Sequence, residues 1–307
     1  MTPARFRGYA VVTLVALVAI VLSGAAVRLT GSGLGCPDWP TCYRHRLTGS
    51  SGAHAVIEYG NRFFTGVLVI VAAAAFVAAW RRVPRRRDLV ALTGLVVTGV
   101  VADALLGALV VYSRLNPWLV ALHLILSLAM VALGTVLVHR ATHVYNSGTN
   151  AVVRDARYQM VARLLWIPFG AALVAGTVAT GTGPHAGGSQ GQLVARRLPI
   201  AFSSGAAVHS IAAMVFVAVV VGTLFAVWHT STPTQIQKGA RRLAVVSFAQ
   251  AVLGYSQYAL HVPVLLVELH VLGAVALTMG VVQFNLRQIA RERESWWTPI
   301  FGLTTRE

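Results

Sequence analysis

Eight stretches of this chain run about twenty residues each with almost no charge, and that repetition constrains the fold more than any motif. They lie near 9–29, 59–80, 89–111, 118–138, 163–181, 204–228, 242–260 and 264–286. A helix needs about 20 apolar residues to cross the hydrocarbon core of a bilayer. In that medium only helices and closed barrels satisfy their own backbone hydrogen bonds. The sequence therefore predicts an all-α integral membrane protein of about eight transmembrane helices. Composition points the same way. Of 307 residues, 56% are hydrophobic and 11% charged, against about 25% charged in a soluble domain. A disordered chain, a coiled coil and a secreted disulfide scaffold are excluded. The first run ends Val27-Arg28-Leu29-Thr30, without a small-residue cleavage site, so it reads as a span and not a removable signal peptide.

The formal charge is +16, from 25 basic and 9 acidic residues. In a soluble protein that excess suggests nucleic acid. Here the arginines concentrate in alternate loops, and the other loops hold only Arg44, Arg46, Arg114, Arg196 and Arg197. Arg5 and Arg7 precede the first run, Arg81, Arg82, Arg85, Arg86 and Arg87 join the second to the third, and Arg140, Arg154, Arg157 and Arg163 join the fourth to the fifth. Lys238, Arg241 and Arg242 precede the seventh run, and Arg287, Arg291 and Arg293 follow the eighth. By the positive-inside rule both termini face the cytoplasm of a multi-pass protein in the cell membrane. The basic clusters are topology signals, the surrounding partner is lipid, and no soluble segment remains to bind nucleic acid.

The remaining loops alternate long, short, long, short, which divides the chain into two halves of four helices. Residues repeat with that rhythm. Asp103-Ala-Leu-Leu-Gly107 matches Gln250-Ala-Val-Leu-Gly254, and Trp118-Leu-Val-Ala-Leu-His123 matches Leu265-Leu-Val-Glu-Leu-His270. Both matches hold one offset, since 254 − 107 and 270 − 123 each equal 147. Thr30-Gly-Ser-Gly33 and Thr180-Gly-Thr-Gly183 follow the first run of each half. The expected domains are an N-terminal half over 1–140, a cytoplasmic linker over 141–163 and a C-terminal half over 164–307. Four helices per half is an even number, so the halves form tandem four-helix bundles related by a pseudo-twofold axis near the membrane normal.

Ten histidines are present, and seven sit in loops or at span ends: His45, His54, His139, His143, His185, His229 and His261. Those read as solvated or interfacial side chains. His123, His209 and His270 lie inside spans, about 8–10 Å from one interface at 1.5 Å rise per residue. Asn61 holds the corresponding place in the second span, three residues after Glu58. Ionisable groups within a membrane mark functional sites. Imidazoles from facing helices suit a flat metal macrocycle held in a bundle core. Zinc needs about four ligands with thiolate or carboxylate among them, and proton relay favours more acids than this chain has.

The only cysteines, Cys36 and Cys42, close Gly33-Leu-Gly-Cys36-Pro-Asp-Trp-Pro-Thr-Cys42 in an outer loop. A disulfide is expected in that compartment. Three uses stay open: a structural staple, an exchangeable redox pair, or a metal site with His45 and His54.

The loop Thr30-Gly-Ser-Gly-Leu-Gly-Cys-Pro-Asp-Trp-Pro-Thr-Cys42, followed by Glu58, Asn61-Arg62, His123, His209 and His270, resembles the heme A synthase family. The likeness covers almost the whole chain. It implies eight helices in two halves and an oxidoreductase that turns a methyl group of heme O into the formyl group of heme A for terminal oxidases. It implies heme b as cofactor, held between His209 and His270. It implies the N-terminal half as the heme O site, with His123 as ligand, Glu58 as the catalytic proton acceptor, and Asn61 and Arg62 lining the site; Arg62 is either the partner of a propionate or a side chain snorkelling to the interface. The family pattern has His where Asn61 stands, which leaves His123 the single ligand. Heme O synthase and terminal oxidase assembly factors are the implied partners. A prenyl-transferring membrane enzyme is excluded, because it needs an Asp-rich magnesium site and the four Asp at 38, 88, 103 and 155 are scattered. A non-catalytic diheme electron carrier and a thiol–quinone oxidoreductase are the competing functions.

Overall fold

The computed structural model describes residues 1–36, 38–42, 52–142, 156–190, 193–229, 232 and 234–288. Nine helices appear among them: α1 (Pro3–Leu29), α2 (Ala53–Trp80), α3 (Arg87–Tyr112), α4 (Pro117–Thr142), α5 (Ala156–Leu164), α6 (Trp166–Thr182), α7 (Phe202–Trp228), α8 (Thr234–Ala259) and α9 (Val264–Gln288). Two-residue strands β1 (Ser189–Gln190) and β2 (Leu193–Val194) pair antiparallel between α6 and α7, with Ser189 opposite Val194 and Gln190 opposite Leu193. The fold is all-α, as the sequence predicts, apart from this small hairpin.

Among the described residues, seven helical segments are long and apolar enough to cross a membrane. The expected eighth, α8, is as long as its neighbours and packs along α7 and α9, but Lys238, Arg241, Arg242, Gln250 and Gln257 keep its surface too polar to meet that standard. The fifth run, near 163–181, is α6 with the end of α5, and the helix is interrupted at Leu165.

Packing inverts the soluble pattern. On α2 the buried positions include Ala55, Ala72, Ala75, Ala78 and Ala79, whereas Phe63 and Ile70 point outward at 68% and 69% exposure. Small residues at helix contacts let backbones approach, and large apolar ones meet lipid. The chain is a multi-pass membrane protein.

In the first half α1 packs on α2 and α4, and α3 lies between α2 and α4. In the second half α6 packs on α7, α7 on α8, and α8 on α9. α4 against α9 joins the two, flanked by α4 with α6 and α1 with α9. The close α1–α4 contact has no comparable α6–α9 contact among the described residues. Two short turns match closely. Arg114 and Leu115 adopt φ 54° and 57° before Pro117, and His261 and Val262 adopt 61° and 62° before Pro263 and α9. Consecutive left-handed non-glycine residues are uncommon, and these pairs stand at the same 147-residue offset as the sequence matches.

At the end opposite the disulfide loop, Arg86 pairs with Asp88 at 2.7 Å and donates to the Arg140 carbonyl at 3.0 Å, tying α3 to α4. Nearby, burial and then the Arg86 charge push the Arg82 guanidinium below its ordinary pKa.

Candidate functional site

Cys36 and Cys42 form a disulfide, with Cα atoms 4.4 Å apart, and both are fully buried. Neither is then a thiolate for a metal, which removes the thiolate ligands from the alternative of a metal site with His45 and His54. His45 lies outside the described residues. His54, at the start of α2, shares a hydrogen bond of 3.0 Å with Ser32. The loop can lie this close because Gly35 has no side chain: a Cβ there would come 2.7 Å from the His54 carbonyl. Gly33 N donates to Gly187 O at 2.8 Å, so the loops of the two halves also meet.

Glu58, almost fully buried on α2, holds this loop. Its Oε2 accepts from Cys36 N at 2.8 Å and its Oε1 from Arg62 at 2.5 Å. Residues at i and i+4 share a helix face, so the pair forms on α2 itself. The Arg62 guanidinium also donates to the carbonyls of Asp38, Thr41 and Cys36. Arg62 is thus a clamp on the cysteine loop; it is also the residue that the family resemblance sets near a propionate. Asn61, one residue earlier, turns to α1 and accepts from Ser23 Oγ at 2.7 Å.

His123 on α4 lies 2.7 Å from Asp103 Oδ1 on α3, and Ser127 Oγ donates to Asp103 Oδ2 at 2.5 Å. No hydrogen bond or ring contact joins His123 to Asn61 or Glu58 among the described residues. His209 on α7 and His270 on α9 do come together, with ring centroids 6.1 Å apart and planes at 86°. His209 Nδ1 pairs with Ala172 O on α6 at 3.0 Å, while the buried Nδ1 of His270 has no partner. Each of the three rings rests against a glycine of the preceding helix. A Cβ would come 3.5 Å from His123 at Gly107, 3.0 Å from His209 at Gly176 and 3.1 Å from His270 at Gly254.

The His209–His270 pair fits a metal macrocycle. Two imidazoles bonded to one metal at about 2.0–2.1 Å place their ring centres about 6 Å apart. His209 already directs Nδ1 to a carbonyl, which is how ligating imidazoles are usually oriented. No cluster of three or more His, Cys, Asp or Glu able to hold a bare ion occurs among the described residues. Two buried apolar clusters lie towards the far end, around Phe169, Phe216, Val220 and Phe284 and around Leu89, Leu92 and Leu137, and a third, around Val21, Val100 and Leu128, reaches the histidines through Leu124 and Val271. The histidine level is left half-buried.

Asp103 was present in the sequence as part of the repeat, and the rule that flagged the histidines applies equally to it: a carboxylate inside a span marks a site. Its pairing with His123, and that of Ser23 with Asn61, depend on how neighbouring helices are rotated, which one sequence does not give.

A helical membrane bundle with paired intramembrane imidazoles and a disulfide-capped end is the class of protein that these features define. The chain belongs to the cytochrome oxidase assembly protein family, COX15-CtaA, whose sequence model matches residues 7–51 and 48–282. It is 35% identical over 141 residues to heme A synthase of Bacillus pumilus, covering 44% of this chain and 46% of that one. It is 31% identical over 137 residues to heme A synthase of Alkalihalophilus pseudofirmus, covering 43% and 46%. With heme A synthase of Bacillus licheniformis it shares 27% over 164 residues, covering 52% and 54%. The aligned part spans about half the length of each relative.

Proposed function

We propose that the chain is a heme A synthase, an oxidoreductase that converts a ring methyl of heme O into the formyl group of heme A, with the oxygen atom taken from water and the electrons passed to an external acceptor. The observation that carries this reading is the His209–His270 pair, which brings two imidazoles from α7 and α9 to 6.1 Å between ring centres with their planes nearly perpendicular. Family membership and the names of the relatives supply the reaction. In this reading His209 and His270 hold heme b, which when bound supplies one-electron transfer. The matching turns and histidine-facing glycines support a duplicated bundle with halves over 1–140 and 164–307, joined by a linker over 141–163.

His123 is the ligand for substrate heme O in the N-terminal half. Asn61 is a poor iron ligand and is engaged by Ser23, which leaves the opposite face open for a substrate that must enter and leave. Glu58 Oε1 and Oε2 are the atoms that accept a proton as the methyl is oxidised, and the Arg62 ion pair holds that carboxylate in place. The basic loops place both termini in the cytoplasm of a cell-membrane protein, with the disulfide loop outside. A heme O-forming enzyme and terminal oxidase assembly factors are the partners that such a reaction requires on either side.

The test is expression of the full chain with a source of heme O, followed by extraction and mass analysis of the hemes. Heme A that depends on this chain supports the reading. Two bound b-type hemes with no heme A would leave the diheme electron carrier.

A further inference from the structure

The geometry points to Asp103 as a positioning residue that makes His123 a strong single axial ligand and distinguishes the N-terminal heme electronically from the C-terminal one. The inference rests on the reading that His123 carries the substrate heme.

Asp103 sits on α3 between Ala102 and Ala104, in a run of apolar residues where a carboxylate is costly without a partner. Both its oxygens have one. Oδ1 is 2.7 Å from His123 Nδ1, and Oδ2 accepts from Ser127 Oγ, one helical turn further along α4. A carboxylate oxygen accepts, so this pairing engages Nδ1 and leaves Nε2 as the nitrogen free to ligate. Ser127 fixes the rotation of the carboxylate and through it the plane of the ring.

The other intramembrane histidines are held differently. His209 has a neutral carbonyl as the partner of Nδ1. At the position 147 residues after Asp103 stands Gln250, whose Nε2 donates to the His270 main-chain oxygen at 2.8 Å, while His270 Nδ1 has no partner. One ring thus faces a carboxylate, one a carbonyl and one neither. A carboxylate behind a ligating imidazole fixes its tautomer and raises its basicity. A more basic ligand donates more charge and favours ferric over ferrous iron. Where Asn61 removes the second ligand, that extra donation falls on one bond.

The experiment uses purified full-length protein loaded with heme, in wild type and in Asp103→Asn, Asp103→Gln, Asp103→Glu and His123→Ala. The readouts are the iron–histidine stretch of the ferrous protein by resonance Raman, the midpoint potential of each heme, and heme content. Loss of charge in Asp103→Asn and Asp103→Gln should lower the stretching frequency, raise the midpoint of the N-terminal heme and weaken its binding about 10–100-fold, as for other groups that orient ligands. Asp103→Glu should stay near wild type in all three. The spectrum of the His209/His270 heme should be unchanged throughout, which reports that each variant folds. Equal effects of Asn, Gln and Glu would show that Asp103 acts through packing and overturn the inference. So would an unchanged stretch and midpoint in Asp103→Asn. If His123→Ala kept the N-terminal heme signal, the failure would belong to the assignment of His123 itself.

Discussion

Asn61 on α2 and His209 on α7 are held in different ways. Asn61 is tied to Ser23 on α1, whereas His209 meets His270 across the bundle. Asn61→His should create a second axial ligand opposite His123. The expected result is a new six-coordinate low-spin signal and slower release of heme, read by optical and electron paramagnetic resonance spectra. Glu58→Gln tests the neighbouring residue. The amide still accepts from Cys36 N but cannot neutralise Arg62. A hydrogen bond to a charged group is worth about 1.5–3 kcal/mol, so the variant should melt at lower temperature and lose most heme A formation, with the His209/His270 spectrum retained. A wild-type yield of heme A from Glu58→Gln would move the chemistry away from Glu58. At this scale residue identity was legible, as were the Cys36–Cys42 and His209–His270 pairings, whereas the partners of Asn61, Arg62 and His123 were not. The types at 36, 42, 58, 123, 209 and 270 stand out in a chain with so little polarity. That Arg62 grips loop carbonyls follows from the path of the cysteine loop, which nothing in the local pattern around Arg62 specifies.

Helices were the most legible elements, because a twenty-residue apolar run has one stable outcome in a bilayer. The exceptions have causes. α8 carries glutamines and a basic start, so its place between α7 and α9 is set by packing and not by apolarity. The hairpin of β1 and β2 is too short to leave a period-2 pattern. What the runs conceal is their rotation, and here the glycines decide. Gly176 and Gly254 leave just enough room for the His209 and His270 rings, since a Cβ would lie 3.0 and 3.1 Å away. Gly107 leaves more, at 3.5 Å from His123. Gly176→Ala and Gly254→Ala should therefore displace a ligand and reduce low-spin heme in the C-terminal half. Gly107→Ala, at ordinary contact distance, should change the spectrum little. Equal loss in all three would mean that the glycines serve helix contact in general and not the rings.

For the whole molecule, the disulfide loop joins features that are remote in sequence. Glu58 and Arg62 fasten it to α2, Tyr112 reaches the Trp39 carbonyl from α3, and the Gly33–Gly187 contact links it to the other half. The bond spans six positions, and closing so short a loop contributes about 2 kcal/mol by the entropy estimate. Cys36→Ser with Cys42→Ser should lower the melting temperature accordingly while leaving the His209/His270 heme in place. The same loop tests the topology, because the cysteines and Lys238 lie at opposite ends of the bundle. Lys238 is the only lysine, and it is exposed at the start of α8. In intact cells a membrane-impermeant maleimide should label Cys36 and Cys42 only after reduction, since the pair is bonded and buried. An impermeant amine reagent should leave Lys238 untouched in those cells and modify it in inside-out vesicles. Labelling of both groups from the same side would break the alternation of the helices. Thiol labelling only in inside-out vesicles would reverse the orientation drawn from the arginine clusters, and with it the placing of the cysteine loop in an oxidising compartment.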